Sequence, residues 1–398
     1  MTERLYYDNA YLTEFDAEVL ACKPNGEYFD VLLNRSAFYP TSGGQPFDTG
    51  VLANARVVDV NVTDGEVWHT VTEAIRTGET VHGRIDWARR FDHMQQHAGD
   101  HMIAGALHRL MGGVTIGLHV SDEISTIDVA MPEGATRISA EEIRRIELDV
   151  NDHIQRNVPI RCWFPSDEEL DTLPLRKKPT VSEHVRIVAI GDDEMVACGG
   201  THPSSAGQIG LVKIVSVSPA RGKMRVAFLA GQRALMDYFR CHDAAHAAAE
   251  MISSGVENLP AGVSAMQEKL RTAEFELVQF KKEQLLSQSQ RFIEEAEILS
   301  DGTKLAVGLV QADAMLLREL VSKLIEYPGV IALMGAANGE QAIYVFGRSA
   351  DVDVNMGTLL RDCARPLGGK GGGRPDFAQG GGCVEILDAA RRAMKERG

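Results

Sequence analysis

The sequence predicts an α+β protein of four units in series: an N-terminal β-barrel-like domain (1–90), an α+β domain (91–230), a helical hairpin or coiled coil (231–300) and a C-terminal α/β module (301–398). Three observations lead there. Tight-turn pairs, Asn25-Gly26 and Asp64-Gly65, separate strand-like runs in the first ninety residues. Apolar residues then recur at helical spacing from Met102 to Leu110 and again from Ile143 to Ile154. The last hundred residues alternate strand and helix patterns. At 398 residues the chain is too long for one ordinary core.

In the first unit EVLACK pairs with YFDVLL and VVDVNV with EVWHTV, which implies a small, strongly curved sheet or barrel. The second has a helix from Phe91 to Leu110 and another over 138–157. Short strands surround them: STIDVAM, PIRCWF, VRIVAI, LVKIVSVS and MRVAFLA, so the helices lie on one sheet. The third begins GQRALMDYFRCHDAAHAAAEMI, loops through SSGVENLPAG and continues as a long helix to residue 299. Its Val263, Met266, Leu270, Ala273, Leu277 and Phe280 form a heptad seam that breaks at Gln284. A hairpin within the chain and a homodimer contact give the same pattern, and both stay open. The fourth has strands KLAVGLV, GVIALMG and QAIYVFG, helices DAMLLRELVSKLI and VNMGTLLRDCA, a glycine loop at 368–382 and the helix VEILDAARRAMKE.

Composition, 44% hydrophobic and 24% charged, fits a soluble globular protein. The polar start, MTERLYYDNAYLTEF, has no signal-peptide core, and no apolar run is long enough to span a membrane. Cysteines 22, 162, 198, 241, 363 and 383 are scattered without a disulfide spacing, so a reducing cytoplasm is expected. A net charge of −15 argues against indiscriminate nucleic-acid binding. It leaves room for a specific RNA site on local basic patches: Arg176-Lys177-Lys178, then Arg221, Lys223 and Arg225, then Lys370 with Arg374.

HAGDH puts His97 and His101 four residues apart on one helix face, where two imidazoles can grip one tetrahedral metal. CGGTH supplies Cys198 and His202, with a glycine pair that permits a tight turn. Three nitrogens and one soft sulfur suit zinc, one ion per chain. If all four ligate, the site is closed, as in structural zinc sites; a catalytic site keeps a position for water or substrate. The residues alone leave both readings open.

HAGDH followed by CGGTH resembles the zinc signature of the editing domain of alanyl-tRNA synthetases and of the free-standing AlaX proteins, with a related one in threonyl-tRNA synthetases. FYPTSGGQPFDTG (38–50) is similar to the glycine-rich motif of the alanyl editing domain and the longer AlaX proteins. GGKGGGRPDFAQGGG (368–382) resembles the glycine loop in the C-terminal domain of alanyl-tRNA synthetases. Too little chain precedes residue 38 for an aminoacylation domain, so the resemblance is to long-form AlaX proteins that edit in trans.

The resemblance implies His97, His101, Cys198 and His202 as zinc ligands. It implies Gln45, in the GGQ motif beside Gly43 and Gly44, at the editing site. Thr115, in GGVTIGLHV, matches a threonine that contacts the substrate's amino acid. The implied activity is zinc-dependent hydrolysis of the ester in tRNA(Ala) mischarged with serine or glycine. Pockets built for a hydroxyl discriminate well against analogues that lack it. Two other functions fit the same residues: a non-catalytic zinc-containing tRNA-binding module, and a zinc hydrolase of a small metabolite. Lys370 and Arg374 would face tRNA phosphate from the glycine loop, or that loop is a turn that packs the final helix. GKGGGR lacks the order of a nucleotide-binding P-loop.

Overall fold

The structure, a computed structural model, describes residues 1–179, 184–339 and 341–397. It falls into two compact units, Met1–Ala247 and Ala248–Gly398.

The barrel of the first unit is built from six strands: β1 (Glu14–Asn25), β2 (Tyr28–Leu33), β3 (Gly50–Leu52), β4 (Ala55–Thr63), β5 (Glu66–Val71) and β6 (Thr80–Ile85). They close into a barrel in the order β1-β2-β5-β4-β3-β6. Closure leaves no open edge, and the inward residues, among them Val19, Val31, Leu33, Val57, Val67 and Val81, fill the interior. Both turn signals act as hairpins. Asp64 and Gly65 have φ of 52° and 81°, the mirror-image turn that matches strand twist. In the other hairpin Asn25 pairs with Tyr28, so the central residues are Gly26 and Glu27, one place later than the sequence pair suggests. Only Gly26 needs positive φ there.

Helix α1 (Trp87–Met111) leaves the barrel. Asp86 caps it by accepting from the Arg89 amide, and Gly112 ends it at φ 68°. Its residues from His93 to Leu107 are buried. Next come β7 (Val114–His119), β8 (Ser125–Ala130), α2 (Ala140–Gln155), β9 (Ile160–Trp163), β10 (Ile187–Ile190), β11 (Glu194–Ala197), β12 (Val212–Ala220) and β13 (Lys223–Ala230). Two antiparallel sheets result, β12-β13-β8-β7 and β9-β10-β11. The expected single sheet is thus two, and β11 is a strand that the sequence pattern did not reveal. Helix α2 starts with a full capping box, Ser139 with Glu142. Ile146, Val150 and Ile154 on its inner face join Ile103, Leu107, Val188 and Phe228 in one core. Helix α3 (Gly231–Met251) spans the boundary between the units.

The second unit holds α4 (Leu259–Ser287), α5 (Ser289–Glu294), β14 (Glu297–Ile298), β15 (Lys304–Val310), α6 (Ala314–Leu324), β16 (Val330–Asn338), β17 (Gln341–Arg348), α7 (Met356–Ala364), β18 (Lys370–Gly373), β19 (Phe377–Cys383) and α8 (Glu385–Arg397). One mixed sheet runs β14-β15-β16-β17-β19-β18, with β15 and β16 parallel. The long helix stops at Ser287, a dozen residues before the expected end, and α5 and β14 take up the remainder. The glycine segment is no open loop: Lys370 to Gly373 pair with Ala378 to Gly381 as two strands.

The second unit by itself does not bury the α4 seam: Val263, Met266, Leu270, Leu277 and Phe280 are 44–62% exposed. A run of large apolar side chains this exposed marks an association surface. We propose that the same helix of a second chain covers it, the preceding helix being the alternative. Light scattering should then give twice the chain mass, and Leu270→Glu with Leu277→Glu should give the single chain mass; a monomeric parent protein would end this reading. Among the described residues, no helix is long and apolar enough to cross a membrane.

Candidate metal centre and its cleft

His97 and His101 project from one face of α1, one turn apart, with rings stacked 5.1 Å centre to centre. CGGTH is the turn that leaves β11. Arg186 holds this turn by donating to the carbonyls of Cys198 (3.1 Å) and Gly200 (2.8 Å). Gly200 has to lack a side chain, because a Cβ there would lie 2.2 Å from His97 Cε1. Cys198 Sγ lies 3.4 Å from His97 Nε2 and 3.4 Å from His202 Nε2. All four ligand atoms, His101 included, fall within 4.8 Å of one another. Ligands of a tetrahedral zinc stand roughly 3.3–3.8 Å apart, from bond lengths of about 2.0–2.3 Å. The cluster is therefore able to hold a metal ion.

The polar atoms agree with this. Both His101 ring nitrogens and His202 Nδ1 are buried without a hydrogen bond, an expensive state for a protein to keep unless something binds there. Burial pushes His97 down to about 3 and His101 and His202 well below the usual range. The imidazoles are thus neutral, the form that ligates. Burial also pushes the Cys198 thiol up to about 12, so a bound cation is what would draw out its thiolate.

Gln45 sits behind the ligands, fully buried. Ser42 and Gln45 exchange backbone hydrogen bonds across Gly43 and Gly44, whose φ of 58° and 84° make this a tight turn. The turn aims the amide at α1. Gln45 Oε1 accepts from His97 Nδ1 at 2.8 Å and from the Thr201 amide at 3.2 Å, while Nε2 donates to Thr201 Oγ1 at 2.8 Å. This fixes the His97 tautomer with the Nε2 lone pair toward Cys198. The fully buried amide thus stands behind the ligands rather than open to the cleft.

In front of the ligands is a cleft of about 570 Å³. Gly43, Thr115 and Asp100 line it with His97 and His101, and Arg4, Lys177, Lys178 and Arg186 add positive charge. Thr115, on β7, receives a hydrogen bond from Arg176 Nη1 at 3.1 Å. Lys370 and Arg374 lie in the second unit. Lys370 is exposed on β18, and Arg374, 79% exposed, faces Asp376 at 3.5 Å. The glycines there serve packing: a Cβ on Gly369 or Gly382 would meet Ile386 of α8 at 2.5 Å.

Sequence reasoning missed three residues. Asp100 is 3% exposed with Oδ1 unpartnered, and burial raises its carboxyl to about 7. Arg176 reads in sequence as part of a surface patch, yet its side chain is 10% exposed and pairs with Glu194, 4% exposed, at 2.8 Å. Glu194 gave no signal either, because it ends an acidic run, Asp192-Asp193-Glu194, that reads as a solvated turn.

Three family models match: tRNA synthetases class II (A) over residues 3–89, the threonyl and alanyl tRNA synthetase second additional domain over 185–226, and the DHHA1 domain over 302–397. The chain is 33% identical to the alanine–tRNA ligase of Natronomonas pharaonis over 99% of its length, covering 44% of that protein. It is 34% identical to the ligase of Archaeoglobus fulgidus, with the same two coverages, 99% and 44%. The chain spans less than half the length of these curated relatives. The C-Ala domain of Aquifex aeolicus alanyl-tRNA synthetase is 28% identical, with a TM-score of 0.24, over 26% of this chain and 96% of that one. The chain thus combines a segment that matches the second additional domain with one that matches the DHHA1 domain. Over nearly its whole length the chain is similar to part of these alanine–tRNA ligases.

Proposed function

We propose that this chain is a zinc-dependent deacylase that acts on tRNA(Ala) mischarged with serine, and also with glycine. The observation that supports this most is the convergence of His97, His101, Cys198 and His202 at an open cleft lined by Thr115 and bordered by lysine and arginine. Zinc bound there would polarise an ester carbonyl or activate water. The protein's part is to hold the substrate. Arg4, Lys177 and Lys178 would attract the phosphates of the tRNA 3′ end. Thr115 would touch the aminoacyl group, and Gln45 would act as a positioning residue through His97. The closed set of four donors favours a second reading, a structural zinc in a tRNA-binding module. Chelation separates them: loss of seryl-tRNA hydrolysis with the fold retained supports the deacylase, and equal hydrolysis of seryl and alanyl esters would sink it.

Gln45→Ala should lower zinc affinity or deacylation about 10- to 100-fold, the usual cost of removing a partner that orients a ligand. An unchanged metal affinity and rate would remove Gln45 from the site. For the second unit we propose that Lys370 and Arg374 contact tRNA phosphate. Lys370→Ala with Arg374→Ala should weaken tRNA binding and flatten its salt dependence, with zinc content constant. Untouched affinity would leave the glycine strands a purely packing role.

A further inference from the structure

We infer that Arg176 is a positioning residue that gives the cleft its preference for a hydroxylated aminoacyl group, by fixing which way the Thr115 hydroxyl points. This rests on the reading that the cleft takes a seryl ester.

Arginine only donates. Arg176 Nε lies 2.8 and 3.0 Å from the two Glu194 oxygens, and Nη1 donates to Thr115 Oγ1 at 3.1 Å. The Arg176 amide is also tied, donating to the Met195 carbonyl at 2.9 Å. One guanidinium thus joins the β11 strand, which leads to Cys198 and His202, to the β7 strand, which carries Thr115. Helix α1 leaves space for the carboxylate at Gly105, where a Cβ would stand 2.5 Å from Glu194 Oε2. The pair is nearly buried, so its geometry is held in a setting where charge-assisted hydrogen bonds are strong.

The direction of the bond has a chemical result. Because Thr115 Oγ1 accepts from Arg176, its own proton is left to donate, and the residue lines the cleft. A donor fixed in a cleft suits a ligand oxygen with a free lone pair, such as a seryl hydroxyl. An alanyl methyl would leave that donor unpaired, and unpaired buried polar groups are what make such sites selective. Lysine in this place keeps the charge opposite Glu194 but lacks the planar fork needed to reach both partners.

The test compares binding of two stable amides, 3′-deoxy-3′-(L-seryl)amino-adenosine and its L-alanyl counterpart, by calorimetry on the intact zinc-loaded protein. The parent protein should prefer the seryl amide. Arg176→Lys should weaken seryl binding about tenfold, leave alanyl binding unchanged and keep zinc content. Adding Thr115→Val to Arg176→Lys should cost nothing more, since both remove one interaction. Arg176→Gln with Glu194→Gln, which removes both buried charges together, gives the same reading where the lysine variant unfolds. Equal weakening of both amides, a retained seryl preference, or multiplying effects with Thr115→Val would overturn the inference. So would a parent protein indifferent between the amides. A seryl preference that Arg176→Lys abolishes, in a protein that hydrolyses no seryl-tRNA, supports the inference and removes only the deacylase reading.

Discussion

Protein carrying Cys198→Ala is expected to be purified almost free of zinc and, on the proposed deacylase reading, to have lost seryl-tRNA hydrolysis by more than about a hundredfold, beyond the usual cost of losing an outer-shell partner. Cys198 offers the one ligand atom that can carry negative charge; the other three are neutral imidazoles. It also accepts a hydrogen bond from the Gly200 amide at 3.3 Å, so it organises the turn that presents His202. Removing it takes away charge compensation and turn geometry together. His97→Ala with Cys198→Ala should leave no measurable metal by elemental analysis. Full occupancy in that double variant would remove these residues as the ligand set. Circular dichroism on the same samples distinguishes the two zinc roles: a retained fold points to catalysis, and general unfolding to a structural ion.

The parts of this molecule legible in the sequence are those whose physics is local. His97 and His101 stand out because four residues make one helical turn, and Cys198 and His202 because a glycine pair folds a five-residue segment on itself. Asp64-Gly65 is legible for the same reason: its turn is defined by its own backbone angles. Contacts across long stretches of sequence are not. Gln45 meets His97 across 52 residues, and nothing near Gln45 says that it lies behind the ligand instead of in the cleft. Arg176 sits among lysines and so reads as surface, but its partner Glu194 is 18 residues away on a strand that pattern alone does not reveal. The glycine segment reads as a loop because glycine is a poor strand former. The structure uses its lack of side chain instead, to bring α8 close to two strands. The α4 heptad is visible as periodicity, but periodicity names an apolar face and not its partner, and that face is exposed on the second unit.

Asp48→Ala is expected to destabilise the first unit by about 3–5 kcal/mol, the cost of leaving a buried charge without its partner. Asp48 and Arg90 are both completely buried. Arg90 Nε stands 3.0 Å from each Asp48 oxygen, and the other guanidinium nitrogens donate to the carbonyls of Ala10 (2.8 Å) and Ala37 (2.6 Å). Asp48 in turn accepts from the Tyr39 amide at 2.6 Å. The pair is placed where it matters for the centre. Asp48 closes the segment that contains Gln45, and Arg90 lies in the first turn of the helix that carries His97 and His101. It therefore ties the glycine motif of the barrel to the ligand helix, and with it the distance from Gln45 Oε1 to His97 Nδ1. Urea denaturation of the intact protein should show the loss. Asp48→Leu with Arg90→Met should recover most of the stability, because no charge is left buried alone. The same double variant should not recover zinc affinity in full, because apolar packing replaces the bonds to Ala37 and Tyr39 that set the register of the segment. A stability loss below about 1 kcal/mol in Asp48→Ala, the range of an exposed ion pair, would mean that the pair is solvated and that the barrel and the ligand helix are joined by other contacts.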